Sequence, residues 1–258
     1  MDIVVCVKHV PDATAERTFN ADNTVDRIGV DGLLSELDEY AIEEALKITE
    51  DTGGEVTVLT VGPEPAAAAV RKSLQMGAHK GVHVMDEALH GSDSVGTSLV
   101  LAKAIERIDA DLVMCGMAST DGSMSVVPAM LAERLGRPQV TFASQVSVDG
   151  DTIRIRRDGD AATEVIEASG RLLVSVTDQC NEPRYPSFKG IMAAKKKPVE
   201  TWSLADLTVD PGDVGLSAAW TRVLSYSARP PRSSGQIVTD EGAGGVQLVE
   251  YLAAQKFV

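Results

Sequence analysis

The chain has few aromatic residues and relatively few basic ones. Phe, Trp and Tyr make up 4% of its 258 residues, so its core has to be built from Val, Leu, Ile and Ala. There are 24 Lys and Arg residues against 38 Asp and Glu residues, which gives a formal net charge of −14. A chain this acidic is not expected to have nucleic acid or an anionic membrane as its main partner.

Cysteines and long apolar segments are also scarce. The odd number and wide spacing of the three cysteines, Cys6, Cys115 and Cys180, exclude a disulfide framework and a CxxC metal site. The longest apolar runs have the length of a strand and do not predict a transmembrane helix. Residues 1–7 lack the basic segment and the cleavage site of a secretory signal. We therefore expect a cytoplasmic protein without a targeting peptide and without membrane insertion.

Strand-length apolar segments alternate with segments of helical periodicity over the first half of the chain. Strands are predicted over residues 3–7, 55–61, 81–85 and 111–115, and helices over residues 35–50, 65–76, 94–108 and 125–135. Ser35 with Asp38 three residues later is typical of a capping box at the start of the first helix. The alternation predicts an α/β fold with a mainly parallel sheet and helices on both faces.

The pattern changes after residue 136. Short turns separate four further predicted strands, over residues 140–148, 152–157, 162–168 and 171–177. These predict an antiparallel extension of the sheet. A long extended C-terminal tail follows, with a helix predicted over residues 245–254. The tail is too irregular to bury its apolar residues against itself, so we expect it to dock on another surface with Trp202, Leu204, Leu207 and Val209.

The polar loop after residues 111–115 is the best candidate for a ligand site. It reads 116-GMASTDGSMS-125 and leads into a helix, whose N-terminus offers free N–H groups to a phosphate. Gly116 and Gly122 allow a close approach of the backbone, and the serines supply hydroxyl groups. The loop is neither GxGxxG nor Walker A. On spacing alone it fits a phosphate-binding loop and a plain βα turn equally well.

The other polar constellations do not predict catalytic or metal chemistry. His79 and His83 stand four apart, but neighbouring glycines argue against a helix there, and no third ligand is near. Cys115 is interpreted as a small buried hydrophobe, because no adjacent base can be named. The acidic residues over positions 12–26 do not match a calcium loop and indicate a solvated surface. We expect no catalytic residues in this chain.

The segment 181-NEPRYPSFKGIMAAKKK-197 differs from the rest of the chain. Between Arg184 and Pro198 it has five basic residues and no acidic one. Pro186 and Gly190 argue against a helix, so an irregular loop is predicted. Phe188 in its middle is either an anchor for a partner's apolar pocket or a side chain packed into the protein's own core.

This segment resembles the recognition loop of the electron transfer flavoprotein beta subunit. The resemblance continues, in the same order, through IVVCVKHVPD, ELDEYAIEEAL, VLTVGPE, RKSLQMGAHKGVHV and GMASTDGSMSVVPAMLAERLGRP. It implies an adenine nucleotide alpha hydrolase-like fold and an electron carrier that forms a heterodimer with an alpha subunit. In this family the alpha subunit holds most of the FAD and the beta subunit holds AMP. Electrons pass from acyl-CoA dehydrogenases and related flavin dehydrogenases to a downstream quinone oxidoreductase.

The resemblance also assigns residues. The implied AMP-binding residues are Cys6, Ser35, Glu36, Leu37, Asp38, Val61, Gly116, Met117, Ala118, Ser119, Thr120, Asp121, Gly122, Ser123, Met124, Ser125, Val126 and Val127. The implied partner-recognition residues are Arg184, Tyr185, Pro186, Ser187, Phe188, Lys189, Gly190, Ile191, Met192 and Ala193. Asp158 falls where the family often has an acidic residue, usually Glu, that helps release the mobile flavin domain. The implied organisation is a nucleotide-binding domain over 1–183, a recognition loop over 184–198, and an arm over 199–258 that docks on the alpha subunit.

Besides Asp158, Phe188 and the loop over residues 121–128 depart from the family pattern. Phe188 stands where the family commonly has Leu, so a partner pocket of different volume is expected. Family members that bifurcate electrons hold a second FAD in place of AMP, and their loop typically reads DGDTAQVGP. Residues 121–128 lack the Thr-Ala-Gln run, which predicts AMP and simple electron carriage. The alternatives are a bifurcating protein, a hydrolase or ATP-pyrophosphatase of related fold, and a stand-alone adenine-nucleotide-binding protein.

Overall fold

A computed structural model describes residues 1–231, 235 and 237–258. It divides the chain into two units, Met1–Leu224 and Ser225–Val258. The strands of the described residues are β1 (Ile3–Cys6), β2 (His9–Pro11), β3 (Gly32–Leu34), β4 (Val56–Val61), β5 (Lys80–Val84), β6 (Leu112–Gly116), β7 (Gln139–Asp149), β8 (Thr152–Asp158), β9 (Thr163–Ser169), β10 (Leu172–Val176) and β11 (Val199–Trp202). The helices are α1 (Glu36–Thr52), α2 (Ala67–Met76), α3 (Ser94–Ile108), α4 (Val127–Leu135), α5 (Phe188–Ala194), α6 (Gly215–Ala218) and α7 (Gly244–Ala254).

One large sheet organises the first unit. Its strand order is β11-β5-β4-β1-β6-β10-β7-β8-β9, and β2 and β3 form a separate antiparallel pair. The strands from β11 to β7 are parallel, whereas β8 and β9 continue the sheet in antiparallel fashion. The α/β architecture predicted from the alternating pattern is confirmed. The central strands are apolar throughout because helices cover both of their faces.

Two apolar clusters pack against the two faces of the sheet. In β1, Val5 belongs to the first cluster and Val4 to the second, because successive side chains of a strand point to opposite faces. The helices α1 and α2 complete the first cluster with residues such as Ile42 and Leu74. The helices α3 and α4 complete the second with residues such as Ile105 and Leu131. The core is therefore aliphatic, as the scarcity of aromatic residues requires.

The predicted antiparallel extension is wrong in one strand. Residues 171–177 were assigned to it, but β10 lies inside the parallel region, between β6 and β7. All five β10 residues, Leu172–Val176, are buried. A fully apolar strand is typical of the centre of a parallel sheet, and this signal outweighs the short turn at Gly170 that suggests a hairpin.

The first part of the C-terminal tail, residues 199–209, packs on the sheet of the same unit, which the sequence did not predict. β11 adds to the edge of the sheet as a parallel partner of β5, with Val199 opposite Gly81. The four apolar residues that were expected to dock elsewhere are buried in the second cluster of the same unit: Trp202, Leu204, Leu207 and Val209. The first unit consequently extends to Leu224. Among the described residues, no helix is both long and apolar enough to cross a membrane.

The second unit contains the predicted terminal helix, now α7. Its apolar side chains are exposed, including Val246, Leu248, Val249 and Tyr251. No residue of α7 is buried. An exposed apolar helix of this kind is expected to have a partner.

The predicted irregular loop around Phe188 is wrong, because residues 188–194 form the helix α5. The Ser187 hydroxyl accepts a hydrogen bond from the Gly190 amide at 3.0 Å and caps the helix. Gly190 does not break the helix, since it is the point of contact with α2: a Cβ there would lie 2.6 Å from the Gln75 carbonyl oxygen. Pro186 precedes the cap and leaves the helix intact.

Lys197 fastens the chain after α5 to the end of α2. Its Nζ donates hydrogen bonds to the carbonyl oxygens of Leu74, Gly77 and Ala78 at 3.0, 2.9 and 2.6 Å. The C-terminus of a helix leaves such carbonyls unpaired and attracts a positive charge. One of the five basic residues of the segment is therefore engaged inside the protein.

We predict that Lys197→Met lowers the free energy of unfolding by about 1–3 kcal/mol, because three charge-assisted hydrogen bonds are lost while the aliphatic stem is kept. Lys196→Met is the matched control. Its side chain is exposed, without a hydrogen bond or ion pair in the described part of the chain, and the change should stay within about 0.5 kcal/mol. Urea unfolding of both variants measures the difference, and equal losses would contradict the capping role.

Candidate functional site

The carboxyl edge of the parallel sheet gathers most of the predicted nucleotide residues. β1 pairs with β6, and Cys6 stands directly beside Cys115 at their ends. The chain leaves β1 towards β4 on one side and later returns to β6 on the other side. Ligands of open α/β sheets bind at such a switch point. Val61, at the end of β4, belongs to the same edge.

The start of α1 closes against this edge. Gly116 is packed so tightly on α1 that a Cβ would lie 2.7 Å from both the Asp38 Oδ1 and the Leu37 carbonyl oxygen. The Asp38 Oδ2 accepts a hydrogen bond from the Lys8 amide at 2.8 Å, and the Ser35 amide donates to the Lys8 carbonyl at 2.9 Å. Residues 35–38 and Gly116 are therefore in contact, as the family resemblance implies.

The predicted capping box at Ser35 and Asp38 is wrong. Ser35 holds the N-cap position of α1, but its hydroxyl makes no capping hydrogen bond. The Asp38 carboxyl turns towards β1 and β6, where it meets the Lys8 amide. The Ser35 Oγ is buried and has no hydrogen-bond partner in the described part of the chain. A buried hydroxyl without a partner is costly unless a ligand or an ordered water satisfies it.

Burial has the largest effect on the pKa of the Asp38 carboxyl. Loss of solvent raises the pKa of its carboxyl to about 7, although the Lys8 amide and the Lys8 charge act in the opposite direction. The Asp121 charge adds to the rise. Near neutral pH, Asp38 is thus divided between a neutral and a charged form.

The loop from Gly116 to Val127 is held in place by basic residues from the other side of the site. Asp121 accepts from the Lys8 Nζ at 2.8 Å and from an Arg27 guanidinium nitrogen at 2.6 Å. Arg17 donates to the carbonyl oxygens of Asp121 and Thr120 at 3.0 and 2.8 Å. Burial acts to raise the pKa of Asp121, but the charges of Lys8 and Arg27 outweigh it and hold the pKa well below its usual range.

These three basic residues were missed by the sequence reasoning. Attention to the acidic residues of positions 12–26 concealed Lys8, Arg17 and Arg27, which lie 94 to 113 positions away from Asp121 and its neighbours. No local pattern in the sequence indicates these pairs, because Lys8 and Arg27 lie outside the acidic stretch and each of the three basic residues bonds to a residue more than 90 positions away. Some of the acidic side chains of this stretch accept hydrogen bonds from close neighbours, as Asp22 does from the Thr24 amide, and Asp22 also pairs with His90, 68 positions away.

The geometry of the loop suits a phosphate group. Ser123 and Ser125 adopt left-handed backbone conformations with φ of 53° and 57°, and Gly122, Ser123 and Met124 are exposed. The helix α4 begins at Val127, two residues later than predicted, and no side chain caps its first turn. The uncapped start of α4, the exposed loop and the partnerless Ser35 Oγ together make this edge a candidate ligand site.

The residues predicted to recognise a partner, 184–193, lie at the opposite edge of the sheet. The helix α5 packs on α2 near Gln75, at the end of α2 that leads into β5. Phe188 is 81% exposed and Tyr185 is 91% exposed, so Phe188 does not pack into the core of its own unit. Met192 and Ile191 continue this apolar surface at 48% and 37% exposure.

Arg184 has a structural partner within the protein. Its guanidinium pairs with Glu43 and Glu50 on α1 at 2.7 and 2.6 Å, and its amide donates to Glu43. These contacts raise the pKa of Arg184. With Lys197 also engaged, the exposed positive charge of the segment comes from Lys189, Lys195 and Lys196.

Asp158 at the end of β8 is held against its own sheet. It accepts hydrogen bonds from the Ser144 hydroxyl at 2.5 Å, the Thr163 hydroxyl at 2.7 Å and the Arg156 Nε at 2.9 Å. These contacts, that of Ser144 first, lower the pKa of the carboxyl to about 2. The described residues contain no group of three His, Cys, Asp or Glu side chains placed to hold a metal ion. His79 and His83 bond separately, to the Val56 amide and the Gly62 carbonyl.

Comparison with known proteins decides the family. The sequence profile of the electron transfer flavoprotein domain matches residues 22–207. The chain belongs to the electron transfer flavoprotein beta-subunit family. The electron transfer flavoprotein subunit beta of Mycobacterium tuberculosis is 47% identical over 100% of this chain and 99% of its own length. That of Thermoanaerobacterium thermosaccharolyticum is 37% identical over the full length of both.

A further relative is named as part of a larger assembly. The Caffeyl-CoA reductase-Etf complex subunit CarD of Acetobacterium woodii is 34% identical over 93% of this chain and 92% of its own length. Family membership makes this chain a subunit of an electron carrier, which implies association with a flavin and with an alpha subunit. The resemblance found in the sequence is confirmed.

We predict a pH-dependent effect of Asp38→Asn. Between the ordinary pKa of 3.8 and the folded value of about 7, the folded chain keeps a proton that the unfolded chain has released. Stability due to this group therefore falls as pH rises through that window, by up to about 1.4 kcal/mol per pH unit. Relative to Asp38→Asn, the unchanged protein should lose stability from pH 4 to pH 7 in urea unfolding. Parallel profiles would contradict the raised pKa.

Proposed function

We propose that this chain is the beta subunit of a non-bifurcating electron transfer flavoprotein that binds AMP. The observation that carries the proposal is the meeting of Cys6, residues 35–38 and the loop 116–127 at one edge of the sheet. The buried Ser35 hydroxyl without a partner supports a ligand at this edge. AMP would be held by the loop, with Gly116 and Gly122 permitting close approach.

The second part of the proposal concerns docking. The exposed apolar side chains of Tyr185, Phe188 and Met192, beside Lys189 and the exposed lysines after α5, suit a small transient contact with a flavin dehydrogenase. Phe188 is the proposed anchor. The partners would be acyl-CoA dehydrogenases and related flavin dehydrogenases, with a quinone oxidoreductase downstream.

The third part concerns the alpha subunit. It would hold most of the FAD, which supplies the one-electron chemistry when bound. The residues of this chain would then bind, orient and shield the cofactor without forming or breaking bonds. The exposed apolar helix α7 supports the proposal that residues 225–258 dock on the alpha subunit. Asp158 remains proposed as the acidic residue that aids release of the flavin domain.

The nucleotide content of the purified heterodimer tests the first part. We expect one AMP and one FAD per heterodimer after denaturation, measured by mass spectrometry. Ser125→Val should reduce the AMP content at least tenfold, because a β-branched residue strains the left-handed backbone of the loop. Ser147→Val, on the exposed face of β7, is the matched control and should retain AMP. Two FAD molecules per heterodimer would support the bifurcating alternative instead.

Electron transfer from an acyl-CoA dehydrogenase tests the docking part. Phe188→Ala should lower kcat/KM for the carrier at least tenfold, which corresponds to about 1.4 kcal/mol of binding to the partner. Heterodimer assembly and flavin content should not change. Val165→Ala on β9, which removes an exposed apolar side chain of 66% exposure, is the control and should leave the rate unchanged. Loss of flavin in Phe188→Ala would show a structural role instead.

A further inference from the structure

The two cysteines at the carboxyl edge of the sheet are direct neighbours. Cys6 and Cys115 occupy the same register position on the adjacent parallel strands β1 and β6. Both side chains belong to the second apolar cluster, so they point to the same face of the sheet. Adjacent strands are about 4.8 Å apart, which falls within the Cα separation that a disulfide spans. Cys6 is also close enough to act on the Cys115 thiol.

The Cys6 and Cys115 thiols differ in their exposure to solvent. Cys115 is 5% exposed, whereas Cys6 is partly exposed. The hydrogen bond to Cys6, burial and the Cys6 charge together raise the pKa of the Cys115 thiol. Cys115 therefore stays protonated and shielded, and Cys6 is the group that meets a reagent from solvent. Cys180, the third cysteine, lies against the first apolar cluster on the other face of the sheet.

We propose that Cys6 and Cys115 are a reversible thiol modification site that closes into an intrachain disulfide in the presence of a hydroperoxide. The Cys6 thiol gives up its proton and the thiolate attacks the peroxide oxygen. The O–O bond breaks, Cys6 becomes a sulfenic acid, and the expelled hydroxide or alkoxide takes up a proton and leaves as water or an alcohol. The Cys115 sulfur then attacks the Cys6 sulfur. The S–O bond breaks as the S–S bond forms, and the hydroxyl group leaves as water with the Cys115 proton. Two electrons pass to the peroxide in all.

This disulfide would be easily reduced. Two residues at the same register position of adjacent parallel strands have their Cβ atoms separated by the distance between the strands, about 4.8 Å. In a disulfide the two Cβ atoms lie only about 3.8 Å apart. Closing the bond draws β1 and β6 together and strains them, and strained disulfides are the labile ones. The site would thus return to the dithiol form under ordinary reducing conditions.

The consequence for ligand binding rests on the proposed function. Cys6 is one of the residues proposed to contact AMP, so the nucleotide would cover the thiol that reacts first. Bound AMP should then protect the pair from oxidation, and the disulfide should hinder AMP binding. The disulfide itself does not depend on the identity of the nucleotide.

Peptide mapping without reduction tests the proposal. The full chain is treated with hydrogen peroxide, the remaining thiols are alkylated, and the peptides are analysed by mass spectrometry. We expect a linked peptide pair containing Cys6 and Cys115, two hydrogen atoms lighter than the separate peptides, with Cys180 alkylated. Dithiothreitol should reverse the link. Absence of this pair, with Cys6 or Cys115 alkylated or overoxidised instead, overturns the proposal.

Two variants sharpen the test. Cys180→Ser should leave the linked pair unchanged. In Cys115→Ala the link should disappear and Cys6 should accumulate as a sulfenic acid that a dione probe traps; a link from Cys6 to Cys180 would contradict the assigned pair. Adding AMP should slow formation of the link at least tenfold. If the link forms equally fast with AMP present, the disulfide stands, and the proposed AMP contact at Cys6 fails.

Discussion

The close packing of Gly116 against the first turn of α1 is the contact on which the candidate ligand site at the carboxyl edge of the sheet depends. No larger residue fits, because a Cβ at this position would lie 2.7 Å from the Leu37 carbonyl and the Asp38 carboxyl. This contact brings the end of β6 to the start of α1 and turns Asp38 towards Lys8. The loop that follows leaves the sheet at the point where Lys8 and Arg27 can pair with Asp121.

The same arrangement places the proposed nucleotide site and the proposed docking surface apart from each other. The ends of β1, β4 and β6 form one edge of the sheet, where the residues proposed to bind the nucleotide meet. The helix α5 instead packs near the end of α2 that leads into β5, at the opposite edge. Arg184 and Lys197 hold the two ends of this helical segment to α1 and α2. The exposed face of α5 is therefore a supported surface and not a free loop.

The fold followed from the sequence where the periodic signals were strong. The alternation of apolar strands and amphipathic helices predicted the parallel sheet, whereas the ligand loop inferred from the glycines and serines of 116–125 stays a prediction. The predictions were wrong where contacts between distant parts of the chain determine the local structure. The strand β10 is central because neighbouring strands bury it. Gly190 lies within a helix because it allows close packing against Gln75. The Asp38 carboxyl accepts a hydrogen bond from the Lys8 amide and does not cap its own helix. Single-residue signals cannot report partners more than 30 positions away, such as the Arg27 and Asp121 pair.

Hydrogen exchange measured by mass spectrometry tests the separation of the two sites most directly. The heterodimer is compared alone, with excess AMP after nucleotide removal, and with an acyl-CoA dehydrogenase. AMP should protect peptides that cover residues 35–38 and 116–127 and leave residues 184–194 unchanged, whereas the dehydrogenase should protect residues 184–194 alone. Protection of 184–194 by AMP, or of 116–127 by the dehydrogenase without any change at α5, would contradict two separate sites.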